Sequence, residues 1–317
     1  MLSVIIPVKN GASTLAKCLE SLKRQSGIAA MEIIILYSMS SDGSKEIASL
    51  FNTIILDVPE GTFNHGLTRN LGVQHAKGDL IFFTVQDAWL VENDMLQKMA
   101  AHFANEEVMG VVGHQAVPHE RDKNPLLWFR RVSEPTINIR KLAEGHSFDS
   151  LHQDQQQALI NWDNVVAMYR RNTLIKQPFE ATQFAEDWIW SKNALLRGWI
   201  LLRDPSLVVY HYHHQGYRFA YNVAYAVNYH FYTFFHFKPG VPNIVMQMLK
   251  AGYHLTKHKD LKLSEKLYWV FYNWKVQWGT FNSHVNFLLF CFVGGAKSVK
   301  WRYDKVCKAV PQGKQKV

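Results

Sequence analysis

Between Leu2 and Thr84 the chain alternates short β-rich runs with helically spaced apolar residues, and this alternation limits its fold more than any single motif does. Leu2–Pro7, Glu32–Tyr37, Thr53–Val58 and Leu80–Thr84 read as strands. Ala12–Gln25, with Leu15, Cys18, Leu19 and Leu22 at helical spacing, Lys45–Phe51 and Leu67–His75 read as helices. Short strands alternating with helices specify an α/β class protein with a mostly parallel, Rossmann-like sheet flanked by helices. Ligands of such sheets sit beyond the carboxyl ends of the strands. Attention therefore falls on Lys9, on Tyr37 to Asp42, on Pro59 to His65 and on Val85 to Ala88.

From Gly113 to Asn161 the pattern loosens into polar sequence, including HQDQQQ at 152 to 157, expected as a surface insertion or an acceptor lid. A strand is expected again at Asn164–Tyr169, a helix at Asp187–Arg197, and a strand pair at Trp199–Leu202 and Leu207–Tyr210. Beyond Gly216 the composition changes. Tyr217–Phe237 is crowded with aromatics, Lys238–Pro242 interrupts it, helical stretches follow at 243–258 and 264–292, and a basic tail runs from Lys297 to Lys316. The expected organisation is a catalytic domain over 1–215 and an aromatic-rich, basic helical region over 216–317, without internal repeats.

With 48% hydrophobic residues the chain can bury a sizeable core, which excludes a disordered protein. Its 35 basic against 26 acidic residues give a net charge of +9 and point to an anionic partner: a nucleotide, a phospholipid surface or nucleic acid. The positive charge is scattered and no nucleic-acid motif accompanies it, so that last class is not expected. Cys18, Cys291 and Cys307 form no CxxC pair and no disulfide framework, which fits a reducing compartment. The opening MLSVIIPVKN has no basic n-region and reads as a first strand instead of a secretion signal. The most nearly membrane-spanning stretch, Val285–Ala296, falls short of the roughly 18 apolar residues a span requires and is followed by Lys297, Lys300 and Arg302. A soluble or membrane-surface protein is expected.

Three groups of residues have the character of a site. Asp87 follows the apolar run LIFFTV and suits a divalent cation bridging phosphates, or equally the N-cap of a helix over Val91–Phe103. Glu186-Asp187 opens a helix, where acids also accumulate simply to complement the dipole. His211, His213 and His214 follow a strand, with His211 and His213 on one face, as metal or phosphate contacts or as ordinary polar strand-end residues. Zinc is not expected, because no cysteine accompanies an oxygen-rich donor set. In the segment Phe63–Asn70, Gly66 permits unusual backbone and Arg69 has the planar fork that pairs with a diphosphate. GxxxxGK[ST] and GxGxxG are both absent.

SVIIPVKNGASTLAKCLESLKRQS, SMSSDGS and FNHGLTRNLGVQHAKGDLIFFTVQDA, in that order, resemble the N-terminal half of family 2 glycosyltransferases of the GT-A fold. The FNHG-x-TRN and QDA elements resemble the bacterial rhamnosyltransferase branch, and DNVVAMYRR, PFE, AEDWIWSKNALLRGW and VVYHYH extend the likeness to about residue 215. The resemblance implies an inverting hexosyltransferase using a nucleotide-diphosphate sugar, with rhamnose from a dTDP donor as the leading expectation. A UDP- or GDP-hexose donor and a non-catalytic sugar-nucleotide-binding or scaffold module remain the alternatives. Asp187 would be the general base, with Glu186 orienting the acceptor or sharing that role. Pro7, Lys9, Tyr37, Asp42, Asn64, His65, Arg69, Gln86 and Asp87 would contact the nucleotide sugar. Asp87, with His211 and His213, would hold Mg²⁺ or Mn²⁺, and Trp188 and Trp190 would stack on the acceptor sugar. Two positions depart from the family. Val85-Gln86-Asp87 stands where an Asp-x-Asp pair is usual, which points to weak or partial metal use, and Tyr37 replaces an acid that commonly meets the nucleotide.

The aromatic, basic C-terminal third suits an anionic membrane surface, a packed helical subdomain or a homo-oligomer interface. With a glycan or lipid-linked acceptor, the expected setting is cytoplasmic, peripheral at the inner face of the cytoplasmic membrane, in bacterial surface polysaccharide synthesis.

Overall fold

The computed structural model describes residues 1–128, 136–143 and 145–307. In chain order the elements are β1 (Leu2–Val8), α1 (Leu15–Lys23), β2 (Met31–Ser38), α2 (Ser44–Ser49), β3 (Ile54–Val58), α3 (His65–His75), β4 (Leu80–Phe83) and β5 (Ala88–Leu90). There follow α4 (Met95–Ala101), β6 (Val108–Ala116), α5 (Pro125–Trp128), β7 (Asn138–Arg140), α6 (Gln153–Ile160), β8 (Ala167–Arg170), α7 (Arg171–Lys176), α8 (Glu186–Leu196) and β9 (Ile200–His211). The helices α9 (Tyr217–Phe235), α10 (Ile244–Lys257) and α11 (Leu263–Cys307) close the chain. These elements form two compact units: residues 1–117 with 131–212, and residues 118–130 with 213–317.

The first unit is built on one sheet in the order β3-β2-β1-β4-β8-β6-β9-β5, with β7 on the side of β9. β3, β2, β1 and β4 run parallel, as the strand–helix alternation predicts. β8 enters antiparallel between β4 and β6 and makes the sheet mixed. β1 reads as an almost unbroken apolar run because both of its faces are covered. Leu2, Val4, Ile6 and Val8 pack with α1 and α4, whereas Ile5 packs with Val73, Phe83 and Trp190 on the opposite side.

Several expectations are corrected. The residue after β4 does not cap a helix: Asp87 leads into β5, and the next helix begins at Met95 behind Asp94. The polar run at 152–157 is largely helical, because His152 and Gln155 close a capping box and only one flank is buried, at Gln156 and Ile160. The expected strand pair is the single strand β9, which stays in the sheet by bulging opposite Gly113. There Asp204 accepts from Ser206 N and Oγ at 2.9 and 2.6 Å.

In the second unit α9 packs on α11, and Leu255, Leu261, Trp269 and Tyr272 form a small core with Leu126 and Trp128. Among the described residues no helix is long and apolar enough to cross a membrane. The expected basic tail is helical from Lys297 to Cys307; positions 308 to 316 lie outside the described residues. Gly295, at φ 55° and ψ −146°, breaks α11 and turns this last segment back. Asn286 and Arg302 would lie about 24 Å apart on a straight helix. Both nevertheless reach the Tyr221 hydroxyl, at 3.2 and 3.1 Å, and the Phe290 and Trp301 rings lie 6.1 Å apart.

A Cβ at Gly295 meets nothing within 4 Å, so Gly295→Ala tests backbone strain alone. The expected loss is about 1–3 kcal/mol, read as a lower urea midpoint of the transition that includes the C-terminal helices.

Candidate active site

The site begins with how α3 holds the segment leading into α8. Asn64 caps α3 by accepting from Leu67 N at 3.0 Å, and the same Oδ1 accepts from Thr182 N at 3.1 Å. Two turns on, Asn70 clasps Phe179, donating to its carbonyl at 2.8 Å and accepting from its N–H at 3.0 Å. Between them Gly66 lets the helix touch the facing backbone: a Cβ there would stand 1.9 Å from the Glu180 carbonyl. FNHG-x-TRN is thus a platform for the residues that follow Phe179. That segment ends at Ala185, held at φ 63° and ψ 26°, a left-handed conformation that a non-glycine residue rarely adopts.

Glu186 follows at once, 4% exposed. Its Oε1 receives Arg69 Nη1 at 2.9 Å and Asn164 Nδ2 at 3.1 Å. Arg69, expected at a diphosphate, is itself only 4% exposed. Its Nη1 also meets the His65 carbonyl and Nδ1, each at 3.2 Å. Burial works to raise the Glu186 carboxyl, but Arg69, with the Asn164 amide, outweighs it and holds the group below the usual carboxylate range. His65 is pushed down to about 4 by burial, so its ring is neutral and Nδ1 accepts from Arg69.

Asp187 behaves in the opposite way. Burial, the adjacent Glu186 charge and Asp163 push its carboxyl well above the usual range, against Arg69 and the Asn164 backbone. Asn164 N donates to Oδ2 at 3.2 Å, and Trp188 N donates to Oδ1 at 2.9 Å. Two adjacent carboxyls whose environments drive their proton affinities apart form a standard basis for acid–base assignment.

Asp87 is brought to His211 by the pairing of Ala88 with His211 across β5 and β9. His211 Nε2 lies 3.4 Å from Asp87 Oδ1. On the other side of the ring, Nδ1 is 2.6 Å from Gln115 Oε1, and Gln115 Nε2 donates to Asp163 Oδ2. Gln115 thus turns its amide nitrogen to Asp163 and its oxygen to the imidazole, although burial raises the Asp163 carboxyl. Nε2 is thus the ring nitrogen turned toward Asp87. A carboxylate oxygen beside an imidazole nitrogen is a pairing that can hold a divalent cation, so Asp87 and His211 form a candidate cation site. The chain enters its second unit at His213, whose ring lies 5.9 Å from Phe219.

The remaining sequence candidates are placed as follows. Gln86 is spent on the backbone of Lys9, with Lys9 N at 2.8 Å from Oε1 and Nε2 at 3.0 Å from the Lys9 carbonyl. Asp42 ties two loops together, accepting from Ala12 N at 2.9 Å, Ser44 N at 3.2 Å and the Ser44 hydroxyl. Those hydrogen bonds overcome burial and lower its carboxyl. Tyr37 closes on Ser40 through both the carbonyl and the N–H, at 3.1 and 3.2 Å, while Pro7 lies in β1 opposite Leu36. Trp190 cannot stack on a sugar. It is 1% exposed among Trp162, Tyr169 and Phe179, because it sits one helical turn after Glu186 on the inward face of α8. Trp188 is half-buried and donates to the Trp162 carbonyl at 3.1 Å.

Sequence reasoning assigned no role to Gln115, Asp163, Asn164 or Tyr169. Tyr169 accepts from Trp162 Nε1 at 2.6 Å and donates to Asn164 Oδ1 at 2.5 Å, which fixes the Asn164 amide toward Glu186. The available signal was the polar pair Asp163-Asn164 immediately before an apolar strand.

The profile described as Glycosyl transferase family 2 matches residues 3–171, more than half of the chain. The chain is 30% identical over 224 residues to the O-antigen chain rhamnosyltransferase RfbN of Salmonella typhimurium, covering 67% of this chain and 66% of that protein. It is 31% identical over 126 residues to the O-antigen chain rhamnosyltransferase WbaN of Salmonella anatum, covering 39% of each. The matched stretches thus span less than two thirds of the relatives' own lengths. In structure it is similar to S. aureus TarS 1-349 in complex with UDP-GlcNAc, with a TM-score of 0.53 and 15% identity over 97% of this chain and 90% of that one. The chain belongs to glycosyltransferase family 2 and has the GT-A fold, with a C-terminal helical region.

Arg69→Met leaves the Glu186 carboxylate buried without its partner, at an expected cost of about 3–5 kcal/mol at pH 7 in chemical denaturation. The folded-state value of Glu186 lies below its unfolded value, so the stability it contributes is present above the unfolded value and lost as pH falls through the folded one. Without Arg69, burial raises that value in the variant, so the difference between the two proteins is expected to narrow as pH falls from the variant's raised folded value to the wild type's lowered one.

Proposed function

We propose that this family 2 glycosyltransferase transfers a hexose, with rhamnose from dTDP-rhamnose as the leading donor, to a hydroxyl of a glycan or lipid-linked acceptor in surface polysaccharide synthesis. The observation that carries this reading is the split pair at the start of α8, with Glu186 held ionised by Arg69 and Asp187 pushed toward higher proton affinity. A carboxylate with raised proton affinity is a better base near neutral pH than an ordinary aspartate. The choice of donor leans on the likeness to two O-antigen rhamnosyltransferases.

In the proposed reaction Asp187 takes the proton of the acceptor hydroxyl. The acceptor oxygen forms its bond to the anomeric carbon as the bond to the donor diphosphate breaks on the opposite face, and the diphosphate leaves with the electron pair. The configuration is inverted. Glu186 does not compete for the proton; after burial, its fixed charge does most to raise the affinity of Asp187. Lys9, Asp42 and Tyr37, just beyond or at the ends of β1 and β2, border the nucleotide side, and Trp188 borders the acceptor side. Asp87 and His211 would hold Mg²⁺ or Mn²⁺, which when bound supplies positive charge against the leaving diphosphate. His213 is the further ligand suggested by its spacing of two residues from His211. For the second unit we propose contact with an anionic membrane surface at the cytoplasmic face, because exposed Leu267, Phe271, Trp274 and Trp278 accompany a basic composition.

With purified protein and a panel of dTDP-, UDP- and GDP-sugars, Asp187→Asn is expected to lower kcat by roughly 10²–10⁴ with the donor KM little changed. Near-normal transfer by that variant would remove Asp187 as the base, and turnover of a UDP- or GDP-hexose alone would replace the donor. The acidic limb of the wild-type pH–rate profile should lie above the ordinary aspartate value of about 3.9. Chelation with EDTA should suppress transfer, with recovery on adding Mg²⁺ or Mn²⁺. Asp87→Asn should blunt that recovery.

A further inference from the structure

Where the last turns of α11 come back past Gly295 they meet the start of α9, and the two enclose a cleft of about 310 Å³. That volume lies at the lower end of small-ligand sites, roughly 300–1,000 Å³. Arg218, Arg302 and Lys305 line it together with Tyr217, Tyr221 and Asn222, and among the described residues no acidic side chain does. The nearby acid, Asp304, is engaged by Lys300 at 2.8 Å.

The polar groups of the cleft are arranged to donate. The Tyr221 oxygen accepts from Arg302 Nη2 at 3.1 Å and from Asn286 Nδ2 at 3.2 Å, so its own proton is left to point elsewhere. Tyr217 likewise accepts from Asn282 Nδ2 at 2.8 Å. Asn222 is 5% exposed, and its Nδ2 has no hydrogen-bond partner among the described residues; the same holds for Arg302 Nε. A buried amide donor left unmatched beside three cations costs free energy until an acceptor arrives. The acceptor that satisfies several N–H and O–H donors and positive charges at once is a phosphate.

Exposed apolar residues on the same helix indicate where that phosphate would come from. On α11, Val285 and Leu289 lie together to one side of Asn286 and are 41% and 54% exposed; Phe292 is 90% exposed, and Trp301, next to Arg302 in sequence, is 52% exposed. Donors for a phosphate next to bare hydrocarbon-matching surface fit an amphiphile. We propose that this cleft binds the phosphate of a lipid headgroup. The inference deepens, and rests on, the membrane-surface reading of the second unit. It also gives a role to the basic segment after Gly295.

The test is co-sedimentation of the full chain with phosphatidylcholine vesicles with and without phosphatidic acid, alongside titration with inorganic phosphate. Wild type should bind only the vesicles containing phosphatidic acid. Arg302→Gln with Lys305→Gln should lower the bound fraction about tenfold. Lys250→Gln with Lys297→Gln removes equal charge from exposed positions of the second unit outside the cleft and should change it less than twofold. Lys305→Gln alone, at an exposed position, should give an intermediate loss and guards against misfolding of the double variant. Equal losses from both double variants would overturn the cleft while leaving the membrane reading intact. Saturable phosphate binding that the cleft variant loses, without any vesicle binding, would overturn the lipid source and the membrane reading together. Failure of wild type to bind either would overturn the whole proposal.

Discussion

The ion pair between Arg69 and Glu186 is the interaction on which the rest of the first unit turns. Both partners are 4% exposed, and charges removed from water to that degree persist only when matched in geometry and surrounded by further hydrogen bonds. The structure supplies those bonds from His65 on α3 and from Asn164 before β8, while a left-handed turn at Ala185 delivers Glu186 to the head of α8. A pair of this kind is a weak source of net stability but a strong constraint on arrangement. If α3 shifts, the carboxylate is left alone; if α8 shifts, the guanidinium is. The left-handed Ala185 immediately before Glu186 shows that the backbone accepts strain to keep that arrangement.

Much of the fold was legible because its signals are local. β1 to β4 and α1 to α3 follow from apolar runs and helical spacing, and the structure places them within a few residues of expectation. What escaped were elements whose signal is not apolar periodicity. α6 is written in Gln and Asp and depends on a capping box. The middle of β9 passes through Arg203-Asp204-Pro205-Ser206, which reads as a turn and remains a strand only because a bulge absorbs it.

The site was legible by residue type more than by role. Glu186 and Asp187 were singled out as a pair, yet their opposite environments depend on Arg69, 117 positions earlier, and no local pattern reports that distance. Arg69 itself has the side chain of a phosphate binder, and only its burial shows that the fork faces inward. Trp190 has the side chain of a sugar platform and belongs to the core for the same reason: helical spacing from Glu186 turns it inward. The FNHG-x-TRN motif invites a ligand-binding reading on its polarity, but its amides and its glycine are committed to the backbone at 179–182.

The missing first acid of the metal motif gains a physical context from the same network. Val85 packs against the core beneath α1, and Gln86 is committed to the Lys9 backbone, so neither is available to a cation. The candidate partner for Asp87 is instead His211 on the neighbouring strand, whose ring is held by Gln115, whose amide is in turn held by Asp163. Asp163 is followed directly by Asn164, which holds Glu186 with its side chain and Asp187 with its backbone. One dipeptide therefore anchors the candidate cation pair through its first residue and the candidate base through its second. Asp163 also adds to the charge that raises Asp187, so the two halves are joined electrostatically as well as by hydrogen bonds. A change at Asp163 would reach the ring of His211 and the proton affinity of Asp187 together. That distinguishes this arrangement from a metal site and a base that merely share a cleft.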